Sequence, residues 1–528
     1  MDDGAGPERR LPSNIARRRL IIGAGVTAAA IVVADRLQGS GDSDDSITRA
    51  SGGPGGTRPK PGTPPAVAGA ADAPAAGHVF DVVLAGGRVI DPETGYDATA
   101  DVGIDGRTIT AISTSPLQGR RAIDVRNLVV APGFIDMISY EPNDYGVWYK
   151  ISDGVTTNLG MHGMLTTADR FFAEYAGESP CHYGGAFDDL YMRGQGSLQI
   201  GSGSAAGSGQ VESLADEAEK QLHDGWIGVS FSPEYTPGIA QAEIDAVAAV
   251  AAKYGVPSFF HARYATDVPP DDNAKALAEI LGVAQRTGSA VHVMHITSTG
   301  GTFQMPASLD TIAKAQAAGT DVTCCMYPYN FWATYLGSAR FSDGWQQRFH
   351  ISYSDLVIPG TGERLNASSF ATYRGQNKLA AAYAIPEADV VAGLASPLTM
   401  IGSDSILEEG NNNHPRAAGC FSRTLGKYAR DEHTLSLVDA LKKMTIMPAK
   451  RLEARAPALK LKGRLQRGAD ADITVFDPAT VIDKATIDEP AQAAAGIAYV
   501  LVVGKVVKDL QGVHKDVTPG EPIKSQLS

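Results

Sequence analysis

The 528-residue sequence predicts an α/β fold in which a barrel of eight parallel strands joins a small β-sandwich built from both ends of the chain. Through the middle of the chain, short apolar runs alternate with amphipathic helical stretches, as in strands joined by helical crossovers. Near each end, a stretch with alternating apolar and polar residues and Gly-rich turns is typical of hairpins. Together these patterns predict a (β/α)8 TIM barrel with a composite β-sandwich.

The N-terminal segment, residues 1–35, predicts export. Arg17 and Arg18 precede a short and only mildly apolar run, "LIIGAGVTAAAIVVA", and this order is typical of a twin-arginine signal. The run is too short to span a bilayer comfortably. No integral membrane domain is therefore expected, apart from this signal segment if it is not cleaved. The predicted location is extracytoplasmic, either secreted or tethered at the membrane. A chance basic and apolar N-terminus is the alternative.

Residues 36–78 are rich in Gly, Pro, Ser and Ala and have few large apolar side chains. Such a segment buries too little surface to offset its ordering entropy, so it is predicted to be a disordered linker. The formal net charge of -13 argues against a nucleic-acid partner, because there is no basic surplus. Four cysteines in this length do not define the fold through disulfides. The oligomeric state is left open.

Two separated stretches, residues 79–130 and 455–520, are predicted to form the β-sandwich. The first contains "FDVVLAGGRVID" and an Asp-Gly turn, and the second contains "GRLQRGADADITVFDP" and "GIAYVLVVGKVVKDLQG". Both alternate apolar and polar residues between turn residues. Their shared pattern indicates one sheet structure assembled from the two ends of the chain.

Residues 131–454 are predicted to form the barrel. Good helices such as 240–255 and 273–288 each end at a Gly. The spacing breaks once, between strands seven and eight, where an aromatic-rich insertion at about 330–396 is expected to cover the mouth of the site. The eight predicted strands are "VVAPGFID", "VTTNLG", "CHYGGAFD", "IGVSFSP", "PSFFHAR", "AVHVMHI", "DVTCCMYPY" and "PLTMIGSD".

Four side chains at the carboxyl ends of these strands are candidates for chemistry, because active sites lie at that end of such barrels. His162 follows strand two, His261 ends strand five, His295 ends strand six and Asp404 ends strand eight. Three imidazoles with an open position can hold a catalytic zinc, and a nearby carboxylate can accept the proton of its water. The sequence predicts Zn²⁺ on His162, His261 and His295, one per chain, with Asp404 as the catalytic base.

Three further histidines of the barrel region, His182, His292 and His350, are left out of this site. His292 and His295 are three residues apart and point to opposite sides of strand six. His182 begins strand three, at the wrong end of the barrel, and His350 lies in the insertion.

From about Phe80 to Gly520 the chain resembles the D-aminoacylase and N-acyl-D-glutamate deacylase branch of the amidohydrolase superfamily. The matching phrases include "DGVTTNLGMHG", "FSPEYTPG", "HARY", "VMHITSTGG" and "HPRAAGCFSRTLGKYAR". In this branch the essential metal is held by a residue after strand two, commonly Cys or Glu, and by the histidines of strands five and six. The resemblance places these ligands on His162, His261 and His295.

The chain departs from the family pattern on strand one. "APGFID" matches, but the His-x-His that follows, which serves a second and weaker metal position, is replaced by Ile138 and Tyr140. The resemblance therefore implies a site with one metal. Strand four, "WIGVSFSPEY", has no Lys to bridge two metals, which argues against a cyclic-amide hydrolase. Cys325 stands where the family has an Asp.

The resemblance also implies the substrate, an N-acylated amino acid of D configuration. Its carboxylate requires a bidentate partner, which Arg416 or Arg263 can supply, and Tyr235 and Tyr327 are predicted to line the pocket. Lys150 and Glu141 are a candidate ion pair near the missing His-x-His.

The leading hypothesis is a metal-dependent hydrolase of a linear amide, an enzyme acting on carbon–nitrogen bonds other than peptide bonds. Its partner would be a small acylated amino acid. The alternative is a non-catalytic binding or scaffold protein that kept the barrel and lost the binuclear metal site.

Overall fold

The structure, a computed structural model, describes residues 77–527. The predicted export signal (1–35) and nearly all of the predicted linker (36–78) lie outside these residues. Among the helices of the described part, none combines the length and hydropathy that a membrane span requires.

Eight parallel strands form the barrel, and they are numbered here one to eight in chain order. Strand three consists of two short pieces separated by Ala186, the first paired with strand two and the second with strand four. Strand eight meets strand one where the Asp404 amide donates to the Ile138 carbonyl at 2.6 Å. The predicted barrel is confirmed. Its strands are Phe134–Asp136, Val155–Gly160, His182–Gly185 with Phe187–Asp188, Val229–Phe231, Ser258–Phe260, Val291–Val293, Val322–Met326 and Thr399–Ile401.

The helices of the barrel end where the sequence predicts. Helix Gln241–Tyr254 stops at Gly255 and helix Asn273–Thr287 stops at Gly288, both glycines in the left-handed conformation that a side chain disfavours. The α-helices are Gly146–Ser152, Ala168–Glu174, Asp189–Arg193, Ser208–Asp224, Gln241–Tyr254, Asn273–Thr287, Met305–Ala317, Trp345–Phe349, Ala367–Gly375, Glu387–Ala395, Arg416–Arg423, Leu437–Met444 and Ile446–Leu452. A π-helical segment, Thr424–Asp431, extends one of them.

The two ends of the chain share a nine-stranded sheet, as their common pattern predicts. The central contact is antiparallel, with Thr474 opposite Ala131 and Val475 opposite Val130. One buried cluster draws side chains from both ends of the chain, which shows that the sandwich has a common core. The limits 79–130 and 455–520 stay a prediction. The strands are Val79–Asp91, Tyr96–Asp105, Thr108–Ser113, Gln118–Asp124, Val129–Pro132, Ile473–Phe476, Ile497–Val502, Lys505–Asp509 and Gly512–Val513.

The segment between strands seven and eight carries its own four-stranded sheet, formed by Trp332–Tyr335, Leu356–Ile358, Glu363–Arg364 and Leu379–Ala382. A cluster of aromatic rings packs within it, among them Trp345 stacked on Phe370. The segment also contains two short 3-10 helices, Ala339–Phe341 and Tyr353–Asp355. A third 3-10 helix, Pro457–Leu461, follows the barrel. The last helix of the segment, Glu387–Ala395, leads into strand eight as an ordinary crossover does.

A buried charge cluster joins the sandwich to the amino-terminal end of the barrel. The Lys462 ammonium lies 2.8 Å from carboxylate oxygens of both Asp470 and Asp472. Asp472 also contacts His182 at 3.1 Å. His182 therefore lies at the end of the barrel away from the candidate site, as predicted.

We expect Lys462→Met to lower the free energy of unfolding by about 3 kcal/mol or more, because it leaves two buried carboxylates short of a cation. Chemical denaturation followed by circular dichroism measures this loss. The exposed neighbour Lys460→Met is the matched control and should change little. Equal stability of the two variants would show that the cluster does not hold the sandwich to the barrel.

Candidate metal centre

Three histidines from three strand ends meet inside the barrel mouth. His162 follows strand two by two residues, His261 directly follows strand five, and His295 follows strand six by two residues. All three are buried. One ring nitrogen of each histidine lies within 4.8 Å of those of the other two. Among the side chains of residues 77–527 that can bind metals, these three form the one group close enough together to hold an ion.

The orientation of His261 is set by Glu234, which follows strand four. His261 Nε2 lies 2.6 Å from Glu234 Oε2. Burial would raise the pKa of Glu234, but Arg340 and His261 lower it below its usual value, so the carboxylate is ionised and only accepts. His261 therefore donates its Nε2 hydrogen to Glu234, and the lone pair on Nδ1 faces the other histidines.

Each of the remaining rings lies within hydrogen-bond distance of a serine hydroxyl through its Nδ1. His295 Nδ1 lies 3.2 Å from the Ser298 hydroxyl, and His162 Nδ1 lies 3.4 Å from the Ser232 hydroxyl. His295 Nε2 is left facing His261 Nδ1, at 3.3 Å.

The separation of 3.3 Å between His261 Nδ1 and His295 Nε2 fits two ligands of one zinc ion. At a Zn–N distance of about 2.0–2.1 Å, adjacent nitrogens of a tetrahedral site lie about 3.3–3.4 Å apart. Burial lowers the pKa of His162 to about 4 and lowers that of His295 well below its usual value. Both imidazoles are therefore neutral at neutral pH, with a lone pair for a metal.

Asp404 follows strand eight and faces the histidines. Its Oδ1 lies 3.9 Å from His295 Nε2, and its Oδ2 lies 2.9 Å from Arg416 Nη2. Burial would raise the pKa of Asp404, but the adjacent Arg416 guanidinium lowers it well below its usual value, so the carboxylate is ionised. Asp404 and His295 both have positive φ, 51° and 32°, and such backbone strain in non-glycine residues is typical of functional sites.

The two arginines predicted to bind the substrate carboxylate differ in their surroundings. Arg416 is buried beside Asp404, and its Nε and Nη2 donate to the Asp404 carbonyl at 3.0 and 2.7 Å. Its Nη1 has no hydrogen-bond acceptor among the described residues. Arg263 instead forms a bidentate pair with Glu279, at 2.7 and 3.0 Å. This pairing argues against Arg263 as the partner of a substrate.

Both predicted tyrosines lie at the site. The Tyr235 ring is 4.6 Å from the His261 ring, and its hydroxyl donates to Thr334 of the insertion at 3.3 Å. The Arg416 guanidinium lies 4.4 Å from the centre of the Tyr327 ring. Tyr235 and Tyr327 therefore stand beside the candidate metal ligand and the candidate carboxylate partner, respectively.

The predicted Lys150–Glu141 ion pair is wrong. Lys150 is buried and its ammonium lies 2.7 Å from Asp136 on strand one and 2.6 Å from the Ser403 hydroxyl. Glu141 accepts from the Leu165 amide instead. A buried ammonium requires a buried carboxylate, and Asp136 supplies one from within the barrel.

Two neighbouring residues have structural roles. His292 faces away from the three histidines, with Nδ1 2.7 Å from the Thr323 hydroxyl on strand seven. Cys325, at the place of the family's Asp, accepts a hydrogen bond from the His295 amide at 3.3 Å.

Sequence reasoning missed three residues of the site. Glu234 lies in the phrase "FSPEYTPG", just after strand four, and this place at a strand end could have identified it as a candidate. Tyr140, noted only as a replacement, donates from its hydroxyl to Asp404 Oδ1 at 3.2 Å. Arg340 of the insertion is buried 3.5 Å from Glu234 and also donates to the Ser298 carbonyl. Nothing local in the sequence marks Arg340.

Known proteins are similar to this chain over most of its length. The model of the amidohydrolase family matches residues 375–508. An N-acyl-D-glutamate deacylase of Alcaligenes xylosoxydans xylosoxydans is 32% identical over 81% of this chain and 93% of its own length. The chain is an amidohydrolase of the D-aminoacylase branch.

Solved structures agree with this membership. The N-acyl-D-glutamate deacylase of Bordetella bronchiseptica, complexed with zinc and a phosphonate mimic of the tetrahedral intermediate, superposes on this amidohydrolase with a TM-score of 0.70, 26% identity, and coverage of 85% of this chain and 100% of that one. A D-aminoacylase studied for one-metal activation and second-metal attenuation has a TM-score of 0.72 and 25% identity, and covers 84% of this chain and 100% of its own. The predicted family and enzyme class are confirmed. The prediction of zinc agrees with the zinc-bound structure of the Bordetella bronchiseptica deacylase and with the three histidines of this amidohydrolase.

Proposed function

We propose that the protein removes the acyl group from an N-acyl-D-amino acid, using one zinc ion held by His162, His261 and His295. The observation that carries this proposal is the meeting of three buried imidazoles with an ionised carboxylate 3.9 Å from one of them. The similarity to N-acyl-D-glutamate deacylase supports the substrate class. When bound, zinc supplies Lewis acidity, which polarises an amide carbonyl and makes a nearby water more acidic.

The side chains around the zinc site have separate tasks in this proposal. Asp404 accepts the proton of the attacking water at its Oδ1 and returns it to the leaving amine. Arg416 holds Asp404 in place and offers its unpaired Nη1 to the carboxylate of the amino acid. Glu234 holds His261 in the tautomer that turns Nδ1 toward the metal.

The one-metal form of the proposal is supported by strand one. Ile138 packs within an apolar cluster of the barrel interior, and Tyr140 is bonded to Asp404. Neither side chain is a useful metal ligand at neutral pH, because an alkyl group has no lone pair and burial with the Asp404 charge raises the pKa of Tyr140 well above its usual value. His162 has one coordinating nitrogen and cannot bridge two ions as a thiolate or carboxylate can.

The test combines a substrate panel with metal analysis of the purified full-length protein. We expect about one zinc per chain by mass spectrometry, and release of free amino acid from N-acetyl-D-amino acids in preference to their L forms. One zinc without hydrolysis of any acyl-amino acid would overturn the substrate class. Neither zinc nor hydrolysis would favour the non-catalytic scaffold.

We further propose that the enzyme is exported by the predicted twin-arginine signal. Replacing Arg17 and Arg18 by Lys should keep the protein in the cytoplasm, because the paired arginines are the recognised feature of such a signal. Cell fractionation and immunoblotting measure this distribution. Arg9→Lys with Arg10→Lys is the matched control and should be exported normally, and unchanged export of the Arg17/Arg18 variant would refute the proposal.

A further inference from the structure

Both strand-one positions that hold histidines in the wider family contact Asp404 in this chain. The Ile138 carbonyl accepts the Asp404 amide at 2.6 Å, and the Tyr140 hydroxyl donates to Asp404 Oδ1 at 3.2 Å. The Ile138 side chain lies against Gly402, where an added Cβ would come within 3.0 Å of the Ile138 Cβ. The segment that follows strand one therefore supports the backbone and the carboxylate of Asp404.

Tyr140 is itself held in place from several sides. Its carbonyl accepts from the Asn158 side chain at 3.1 Å, and its ring centre lies 5.8 Å from that of His162. The ring also covers Gly163, where a Cβ would lie only 2.4 Å from Tyr140 Cε1. Gly163 has φ +64°, which favours glycine as well, so the loop after strand two is shaped to receive this ring.

The two oxygens of Asp404 have different partners. Arg416 binds Oδ2 at 2.9 Å and Tyr140 binds Oδ1 at 3.2 Å. One partner alone would leave the carboxylate free to turn about its Cβ–Cγ bond, whereas partners on both oxygens set its plane. Oδ1 is also the oxygen that lies 3.9 Å from His295 Nε2, so it is directed at one of the three candidate ligands.

We propose that Tyr140, at a position where the wider family has a histidine, is a positioning residue that holds the Asp404 carboxylate toward the metal centre. This inference rests on the proposed function, in which Asp404 is the base. A base that is misplaced by a fraction of an ångström loses rate without losing substrate affinity. The hydroxyl of Tyr140, rather than its ring, carries the effect.

The first experiment compares Tyr140→Phe with the parent in the full-length zinc protein. We expect kcat to fall about tenfold, KM to change less than about threefold, and zinc to stay at about one per chain. Tyr149→Phe is the matched control, since that hydroxyl lies 3.4 Å from the Tyr145 hydroxyl and away from Asp404, and its kinetics should equal the parent's. An unchanged kcat in Tyr140→Phe would overturn the proposal.

A double-mutant cycle separates positioning from a general structural role. Added to Asp404→Asn, Tyr140→Phe should cause no further loss of kcat, because the group that it positions is already disabled. The same tenfold loss in both backgrounds would show that Tyr140 acts independently of Asp404, and would overturn the proposal.

The cobalt-substituted protein gives a readout that requires no substrate. The visible absorption of bound Co²⁺ should change in Tyr140→Phe and in Asp404→Asn, and the double variant should match Asp404→Asn alone. Identical spectra of the parent and Tyr140→Phe would overturn the positioning role. A coupled spectral change without hydrolysis of any acyl-amino acid would instead uphold it while refuting the proposed function.

Discussion

Substituting His261 by Ala is expected to remove zinc and hydrolytic activity together. The substitution removes the nitrogen that lies 3.3 Å from His295 Nε2 and leaves two of the three imidazoles. It also leaves the buried Glu234 carboxylate without the ring to which it is bonded at 2.6 Å, although Arg340 remains 3.5 Å away. A catalytic zinc site requires three protein ligands and one open position, so activity should fall to background.

Metal content measured by mass spectrometry and deacylation measured by amino-acid release test this expectation side by side. His350→Ala is the matched control, because His350 lies in the insertion, is hydrogen-bonded to Asp267 and is not one of the three candidate ligands. That control should keep its zinc and its activity. Full zinc content in His261→Ala would remove His261 from the ligand set.

Asp404→Asn is expected to reduce turnover of N-acyl-D-amino acids by about 10² or more, the usual consequence of losing a general base. Zinc content and folding should be nearly intact. Arg416 keeps its two bonds to the carbonyl of residue 404, and Asn is one of the few residues that tolerate the positive φ of 51° at this position.

Steady-state kinetics, metal analysis and thermal unfolding of the same preparation measure the three expectations. Asp216→Asn, at an exposed helix position, serves as the control for an Asp-to-Asn change and should match the parent. Turnover of Asp404→Asn at the parental rate would refute the assigned mechanism.

The position of the candidate metal site was predictable to a large extent because its three histidines each lie at or just after the carboxyl end of a strand. The site takes one histidine from each of three strand ends, and the end of a strand can be read from the apolar run that precedes it. Parallel strands in a closed barrel bring these ends together regardless of their distance along the chain. His182, at the opposite end of its strand, was excluded by the same reasoning.

The partners of these residues were not predictable in the same way. Arg263 and Arg416 were both candidates in the sequence, but Arg263 is paired with Glu279, whereas the Arg416 guanidinium lies over the Tyr327 ring. Lys150 was assigned to nearby Glu141, although its partner is Asp136, directed inward from strand one. In each case the decision depends on which side of an element faces which neighbour.

The sequence by itself therefore determined the barrel, the sheet shared by the two chain ends and the strand ends that carry His162, His261, His295 and Asp404. These features follow from apolar periodicity and turn residues, which act over a few neighbouring positions. Only the tertiary structure decided that Glu234 orients His261, that Arg340 reaches both Glu234 and Ser298, and that Tyr140 bonds Asp404. Those contacts join side chains from different strands and from the insertion, and local pattern does not encode them because they depend on how whole elements pack.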